Sequence, residues 1–147
     1  IFAGTLHQST LFEQISSSLD YEKYNSKTIF TDNVQNISHL YAISNILVVP
    51  SVVDEALSNV VGEAKLAGCP AIVFRSGGLP ELISHNRDGY ICKSKSTEEL
   101  VIAINYYYEN PSVLQEHRTN AFNSIQELGL TPENFLHKWT SVYKQTV

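Results

Sequence analysis

Two glutamates, Glu55 and Glu63, with seven residues between them, are the first feature of this 147-residue sequence that could do chemistry. A fully helical stretch would set them ~12 Å apart at ~1.5 Å rise per residue, and a non-helical turn changes that by a few ångströms. This is too far for one shared metal ion and beyond the ~5–9.5 Å of a hydrolase's carboxylate pair. The residues between them, Ala56 to Gly62, read as a turn entering a helix, with Ser58 or Asn59 of N-cap type. The N–H groups at about Asn59 to Val61 then have no partners inside the helix and carry the positive end of its dipole, which makes an anion site. A ligand with a hydroxylated ring at each end and a diphosphate in the middle fits such a span, since carboxylates accept hydrogen bonds from sugar hydroxyls. A reading without ligand stands beside it: Glu55 as a solvent-exposed turn residue and Glu63 on a solvated helix face.

A second segment, Arg75-Ser76-Gly77-Gly78-Leu79-Pro80-Glu81-Leu82-Ile83, has the same layout: a glycine-rich turn and a helix start with Pro in the first turn. Two glycines permit positive φ and let a ligand approach bare backbone N–H groups, although the same tetrad makes a good connector in any protein. Glu81 suits the first turn of a helix electrostatically, and Arg75 reads as a solvated edge residue more than a phosphate partner. Other chemistries find no support. There is no Asp-x-Asp clamp after a strand and no Gly-x-Ser-x-Gly elbow, and the five His are scattered without ligand spacing, His7 among them as a surface residue. Cys69 and Cys92 show neither metal-ligand spacing nor a secreted disulfide framework, so they read as buried free thiols in a reducing compartment.

These segments must be held by something, and the pattern around them is α/β. Short apolar runs without clean alternation, as expected of strands covered on both faces, lie at Ile1 to Ala3, Lys27 to Phe30, Asn45 to Val49, Pro70 to Phe74 and Tyr90 to Cys92. Helical patterns lie at Leu11 to Leu19, Ile37 to Ser44, Asn59 to Ala67, Glu98 to Tyr108, Ser112 to Leu128 and Pro132 to Lys144. Gly68 and Pro70 mark a helix stop and a strand start, and Pro111 and Pro132 sit where a missing N–H does no harm. Within Tyr106-Tyr107-Tyr108 at most two rings can pack inward. An open parallel sheet places its ligand outside the carboxyl ends of its strands, which directs attention to the segments after Ala3, Phe30, Val49 and Phe74. A net charge of −5 argues against nucleic acid or anionic lipid as a partner held by bulk electrostatics. With 43% hydrophobic and 17% charged residues the composition is that of a globular domain, and no run is long and apolar enough for a membrane span. The chain opens at Ile1 in what reads as the second half of a strand and has no Met, so the expectation is a fragment of something longer.

Val49-Pro50-Ser51, the Glu55 and Glu63 pair, Gly62-Glu63-Ala64, Ala67-Gly68-Cys69-Pro70, Gly77-Gly78-Leu79-Pro80-Glu81 and Asp88-Gly89-Tyr90 occur in order and at close spacing. The set resembles the C-terminal, donor-binding domain of retaining GT-B fold glycosyltransferases, family 4 or glycosyl transferases group 1. Gly4, Leu40-Tyr41 before Asn45, Glu98 to Ile104 and the closing helix from Trp139 to Tyr143 also look similar. The resemblance implies a Rossmann-like three-layer α/β/α domain with a mostly parallel sheet and helices at the C-terminus. It implies that Glu55 meets the donor sugar as the catalytic residue and Glu63 the nucleotide ribose, that the amides of Leu57, Ser58, Asn59 and Val60 meet the diphosphate, and that the Gly77-Gly78-Leu79 loop closes near sugar and phosphate. Where such enzymes often carry a Gly after the second strand, this chain has Thr31-Asp32. The Arg and Lys that clamp the diphosphate, the first strand and helix, and the acceptor domain would precede Ile1, leaving this chain a single donor-binding domain, inactive alone. The implied activity is transfer of a sugar from a nucleoside diphosphate sugar to a glycan, polysaccharide or lipid-linked acceptor with retention, without metal or cofactor. The implied place is the cytoplasm, any membrane contact being made through the missing domain. A nucleotide-sugar 2-epimerase and a non-catalytic sugar-nucleotide binding module are the alternatives.

Overall fold

The computed structural model describes residues 1–3, 13, 14, 17, 27–128 and 132–145. Gly4, His7, most of the expected Leu11 to Leu19 helix and the turn at Gly129 to Thr131 lie outside them. Contacts divide the chain into two compact units, Ile1–Ile37 and Ser38–Val147. In the first, β1 (Phe2–Ala3) and β2 (Phe30–Thr31) pair in parallel, with Phe2 opposite Phe30 and Ala3 opposite Thr31.

The second unit carries the candidate site. After α1 (Ile37–Ile43), which starts at the division, come β3 (Leu47–Val49), α2 (Asn59–Leu66), β4 (Ala71–Val73), a 3-10 turn (Leu79–Leu82) and β5 (Gly89–Ile91). Three helices follow, α3 (Thr97–Glu109), α4 (Pro111–Leu128) and α5 (Pro132–Gln145). β3, β4 and β5 form a parallel sheet in that order, with Val48 opposite Ile72 and Ile72 opposite Tyr90. The two-residue period of the strands sends their side chains to two separate cores. Val49, Ala71, Val73 and Ile91 pack with Val61 of α2 and with Leu79, Leu82 and Ile83. Ile72, Phe74, Tyr90 and Cys92 pack with Ala103 and Tyr107 of α3 on the other face. The result is the three-layer α/β/α arrangement, and it explains why the strands read as apolar runs and not as alternating ones.

Local signals set the element ends. Gly68, with φ +69°, terminates α2, and the Cys69 N–H returns to the Ala64 carbonyl at 2.8 Å before Pro70 opens β4. Ser96 caps α3 by accepting from the Glu99 N–H at 3.3 Å. Of the three consecutive tyrosines, Tyr107 is buried, Tyr106 half-buried and Tyr108 exposed. Both cysteines are free and buried, and burial pushes the Cys69 thiol up to about 11.

α3 and α4 are joined in the core by the Tyr107 hydroxyl and His117 Nδ1, 3.0 Å apart and both buried. Burial holds the His117 imidazole below its ordinary 6.5, so the folded chain favours the neutral ring while the unfolded chain takes up a proton near that pH. The stabilisation is therefore present above pH 6.5 and lost as the pH falls through the lower folded value. The melting temperature is expected to drop between about pH 7.5 and pH 5.5, and His117→Gln should flatten that slope. His85, also held low by burial, accounts for a residual slope. An undiminished slope in His117→Gln would refute the assignment.

Candidate functional site

Because β3, β4 and β5 run parallel, the segments 50–58, 74–78 and 92–96 leave the same edge of the sheet, where they bond to one another. The buried Ser76 hydroxyl donates to the Val53 carbonyl at 2.8 Å and lies 3.2 Å from Asp54 Oδ1. Asp54 Oδ1 also accepts from the Gly77 N–H at 3.2 Å, and the Gly78 N–H donates to the Glu55 carbonyl at 2.7 Å. Lys95, from the segment after β5, donates through Nζ to the Val52 carbonyl at 2.9 Å and to Ser76 Oγ at 3.0 Å, and sits 3.4 Å from Asp54 Oδ1. Ser76 and Lys95 hold the Asp54 carboxyl below its usual range.

This contact between loops explains the two glycines. Gly77 has φ +53°, and a Cβ there would overlap the Glu55 carbonyl, while a Cβ at Gly78 would overlap that of Ala56. The close approach they permit in this chain is that of the neighbouring loop's backbone. The N–H groups of Gly77, Gly78 and Leu79 are all engaged within the chain, the last on the Ser76 carbonyl at 3.2 Å.

The expected helix after Gly78 is corrected to a four-residue 3-10 turn, Leu79–Leu82. Leu79, Leu82 and Ile83 all enter the core under the sheet, and their close spacing draws the chain down before an α-helix can extend. Lys65 also takes the Leu82 carbonyl as acceptor. The electrostatic argument for an anion site at a second helix N-terminus falls with that helix.

The first helix N-terminus stands. Ser58 is the N-cap of α2, in extended backbone (φ −91°, ψ 108°), and its buried side chain makes no cap hydrogen bond. The first N–H groups of α2 therefore receive no side-chain acceptor from Ser58, and Asn59 and Val60 are exposed. Glu55 lies half-buried ahead of this terminus, with Oε1 accepting from the Ser51 hydroxyl. Glu63 stands exposed on α2, with Oε2 3.5 Å from the buried Tyr41 hydroxyl of α1, whose pKa is raised by burial and then by Glu63. Leu57 is exposed, and Leu79 is buried in the core, so that only its backbone faces the loops. Among the described residues no group of three or more His, Cys, Asp or Glu is placed to hold a metal ion.

Sequence reasoning missed Asp54, Ser76 and Lys95. The signal for Lys95 was available: the carboxyl-end argument applies to the strand ending near Cys92 as much as to the other strands.

Beside the site, α2 is tied to the loop before β5. Lys65 Nζ lies 3.2 Å from Asp88 Oδ2, each side chain 1% exposed, and Asp88 Oδ1 accepts from the Ser84 N–H at 2.9 Å. The pair lines a cavity of about 120 Å³ that Ser84 and Ser124 also border. Burial holds the Lys65 ammonium below its ordinary pKa, and Asp88 opposes that effect.

Residues 1–124 match the profile of the glycosyl transferases group 1. Over 140 residues, 95% of this chain, the sequence is 24% identical to an uncharacterized glycosyltransferase of Haemophilus influenzae, and it covers 38% of that protein. The chain thus spans little more than a third of that relative's length. In structure it resembles a glycosyltransferase from Rickettsia africae, with a TM-score of 0.84 at 21% identity, over 97% of this chain and 38% of that one. It also resembles HepE of Anabaena, solved in complex with UDP, with a TM-score of 0.77 at 20% identity, over 85% of this chain and 35% of that one. The shared fold is that of GT-B glycosyltransferases. No helix of the described residues is long and apolar enough to cross a membrane.

Proposed function

The chain belongs to the glycosyl transferases group 1 family, and from that premise we propose that it is the donor-binding part of a retaining glycosyltransferase that uses a nucleoside diphosphate sugar. The observation that carries the reading is the order of groups along one edge of the sheet: a half-buried carboxylate at Glu55, the open N-terminus of α2, and a second carboxylate at Glu63. Glu63 accepts from the ribose hydroxyls, the amides of Leu57, Ser58, Asn59 and Val60 face the diphosphate, and Glu55 faces the sugar. The Gly77-Gly78-Leu79 loop borders the sugar end by backing Glu55.

In the reaction the bond from the anomeric carbon to the diphosphate oxygen breaks, and the acceptor oxygen bonds to the same face of that carbon as its proton passes to the departing diphosphate oxygen. Negative charge builds on the departing diphosphate, and fixed N–H dipoles stabilise it there. No metal or cofactor is assigned a step. The acceptor, a glycan, polysaccharide or lipid-linked sugar, is met by parts of the protein beyond this chain, and the chain alone transfers no sugar. Two buried free thiols suit a reducing compartment such as the cytoplasm.

The test is calorimetric titration of UDP, GDP and ADP into the protein and its Glu63→Gln variant. Binding of at least one nucleotide is expected, weakened in the variant by about 1–3 kcal/mol through loss of a charged hydrogen bond. Equal affinity in both proteins would show that Glu63 is only a helix-face residue paired with Tyr41.

A further inference from the structure

Resting on the reading that Glu55 meets the donor sugar, we propose that Lys95 is a positioning residue for that glutamate, a latch that joins the loops leaving all three strands of the sheet. An ammonium offers three donors, and three acceptors stand around Nζ: the Val52 carbonyl, Ser76 Oγ and Asp54 Oδ1. Two belong to the loop carrying Glu55, one to the loop of Gly77 and Gly78, and the lysine itself comes from the segment after β5. An exposed Lys–Asp pair alone contributes little, and Asp54 is 79% exposed. The weight falls on the bonds to the Val52 carbonyl and to the buried Ser76.

The loop depends on such ties because it has little apolar anchorage. Val52, Val53 and Leu57 are 65%, 74% and 57% exposed, so the segment is held by the polar bonds to Ser76, Gly77, Gly78 and Lys95. Glu63 is different. It sits on α2, which is anchored by fully buried Val61 and Ala64. Release of the latch therefore loosens Glu55 and the Leu57 amide ahead of α2, and leaves Glu63 and the amides of Asn59 and Val60 held on the helix.

The experiment compares the unaltered full-length protein with Lys95→Met and Lys95→Arg. Amide hydrogen exchange, measured without ligand, is expected to quicken roughly fivefold to tenfold at Gly77 and Gly78 in Lys95→Met, as for loss of about one net hydrogen bond. Donor turnover, read as nucleoside diphosphate released from a panel of nucleoside diphosphate sugars, should fall roughly tenfold or more in kcat, while affinity for free UDP, GDP or ADP stays within about twofold. Lys95→Arg, which keeps charge and donors, should recover most of both. Unchanged exchange at Gly77 and Gly78 in Lys95→Met overturns the latch. Faster exchange with unchanged kcat overturns its link to Glu55, and equal loss of kcat and nucleotide affinity overturns the separation of the two ends. Failure of the wider reading is distinguishable, because an unaltered protein that binds no nucleotide shows it before any variant is made, and the exchange measurement still decides the latch.

Discussion

Replacement of Lys65 by Ala is expected to destabilise the folded chain by about 3–5 kcal/mol, because it leaves the Asp88 carboxylate buried without its counter-charge. Both side chains are 1% exposed, and Asp88 Oδ2 has no other hydrogen-bond partner among the described residues, so the Lys65 ammonium is the group that compensates this oxygen. The same substitution frees the Leu82 carbonyl, which Lys65 now satisfies, and uncouples α2 from the 3-10 turn. Removing both charges is a different matter. Lys65→Met with Asp88→Asn leaves no buried ion, and the double variant should be clearly more stable than the sum of its single losses. Urea unfolding of the unaltered protein, Lys65→Met, Asp88→Asn and their double variant gives the coupling directly, with Lys65→Ala measured beside them. A Lys65→Ala loss under about 1 kcal/mol, or strict additivity, would show that solvent reaches the pair.

That buried pair also shows what a linear sequence hides. Gly68 and Pro70 mark the end of α2 and the start of β4 because the constraints act on the residue's own backbone. Lys65 carries no such mark: its position four residues before Cys69 looks like any helix surface position until Asp88 is folded beneath it. The strands and helices of the second unit were legible to within a few residues, since a sheet covered on both faces imposes continuous apolar runs that composition reveals. The helix expected after Gly78 was misread, because Pro80 and Glu81 are good first-turn residues and local preference gave no hint that Leu79, Leu82 and Ile83 would all be drawn into one core. At the site, the glutamates and the open helix end were visible as a pattern. The glycines were visible as freedom of φ and as room for a ligand beside bare N–H groups. What fills that room, the backbone of Glu55 and Ala56, lies more than twenty residues away and belongs to tertiary structure.

The two glutamates should separate cleanly in the kinetics of the full-length enzyme. On the proposed placement of Glu55 at the donor sugar, Glu55→Gln keeps the size of the side chain and removes a negative charge facing the sugar, which gains positive character as the diphosphate leaves. A carboxylate there interacts more strongly with the transition state than with the ground state, so the loss should appear in kcat, on the order of 10²-fold, with a smaller change in KM. Free UDP, GDP or ADP lacks the sugar, and its affinity should be nearly unaltered. Glu63→Gln should behave in the opposite way, weakening free nucleotide and donor alike because the ribose is common to both. The Ser51 hydroxyl provides an internal control, since a Gln oxygen can still accept from it and the loop need not move. Comparable melting temperatures for Glu55→Gln and the unaltered protein would confirm that the loop is intact. If both variants fold and weaken free nucleotide equally, or if neither changes any constant, then the seven-residue spacing is an accident of helix composition and the sugar and ribose must be read by other residues.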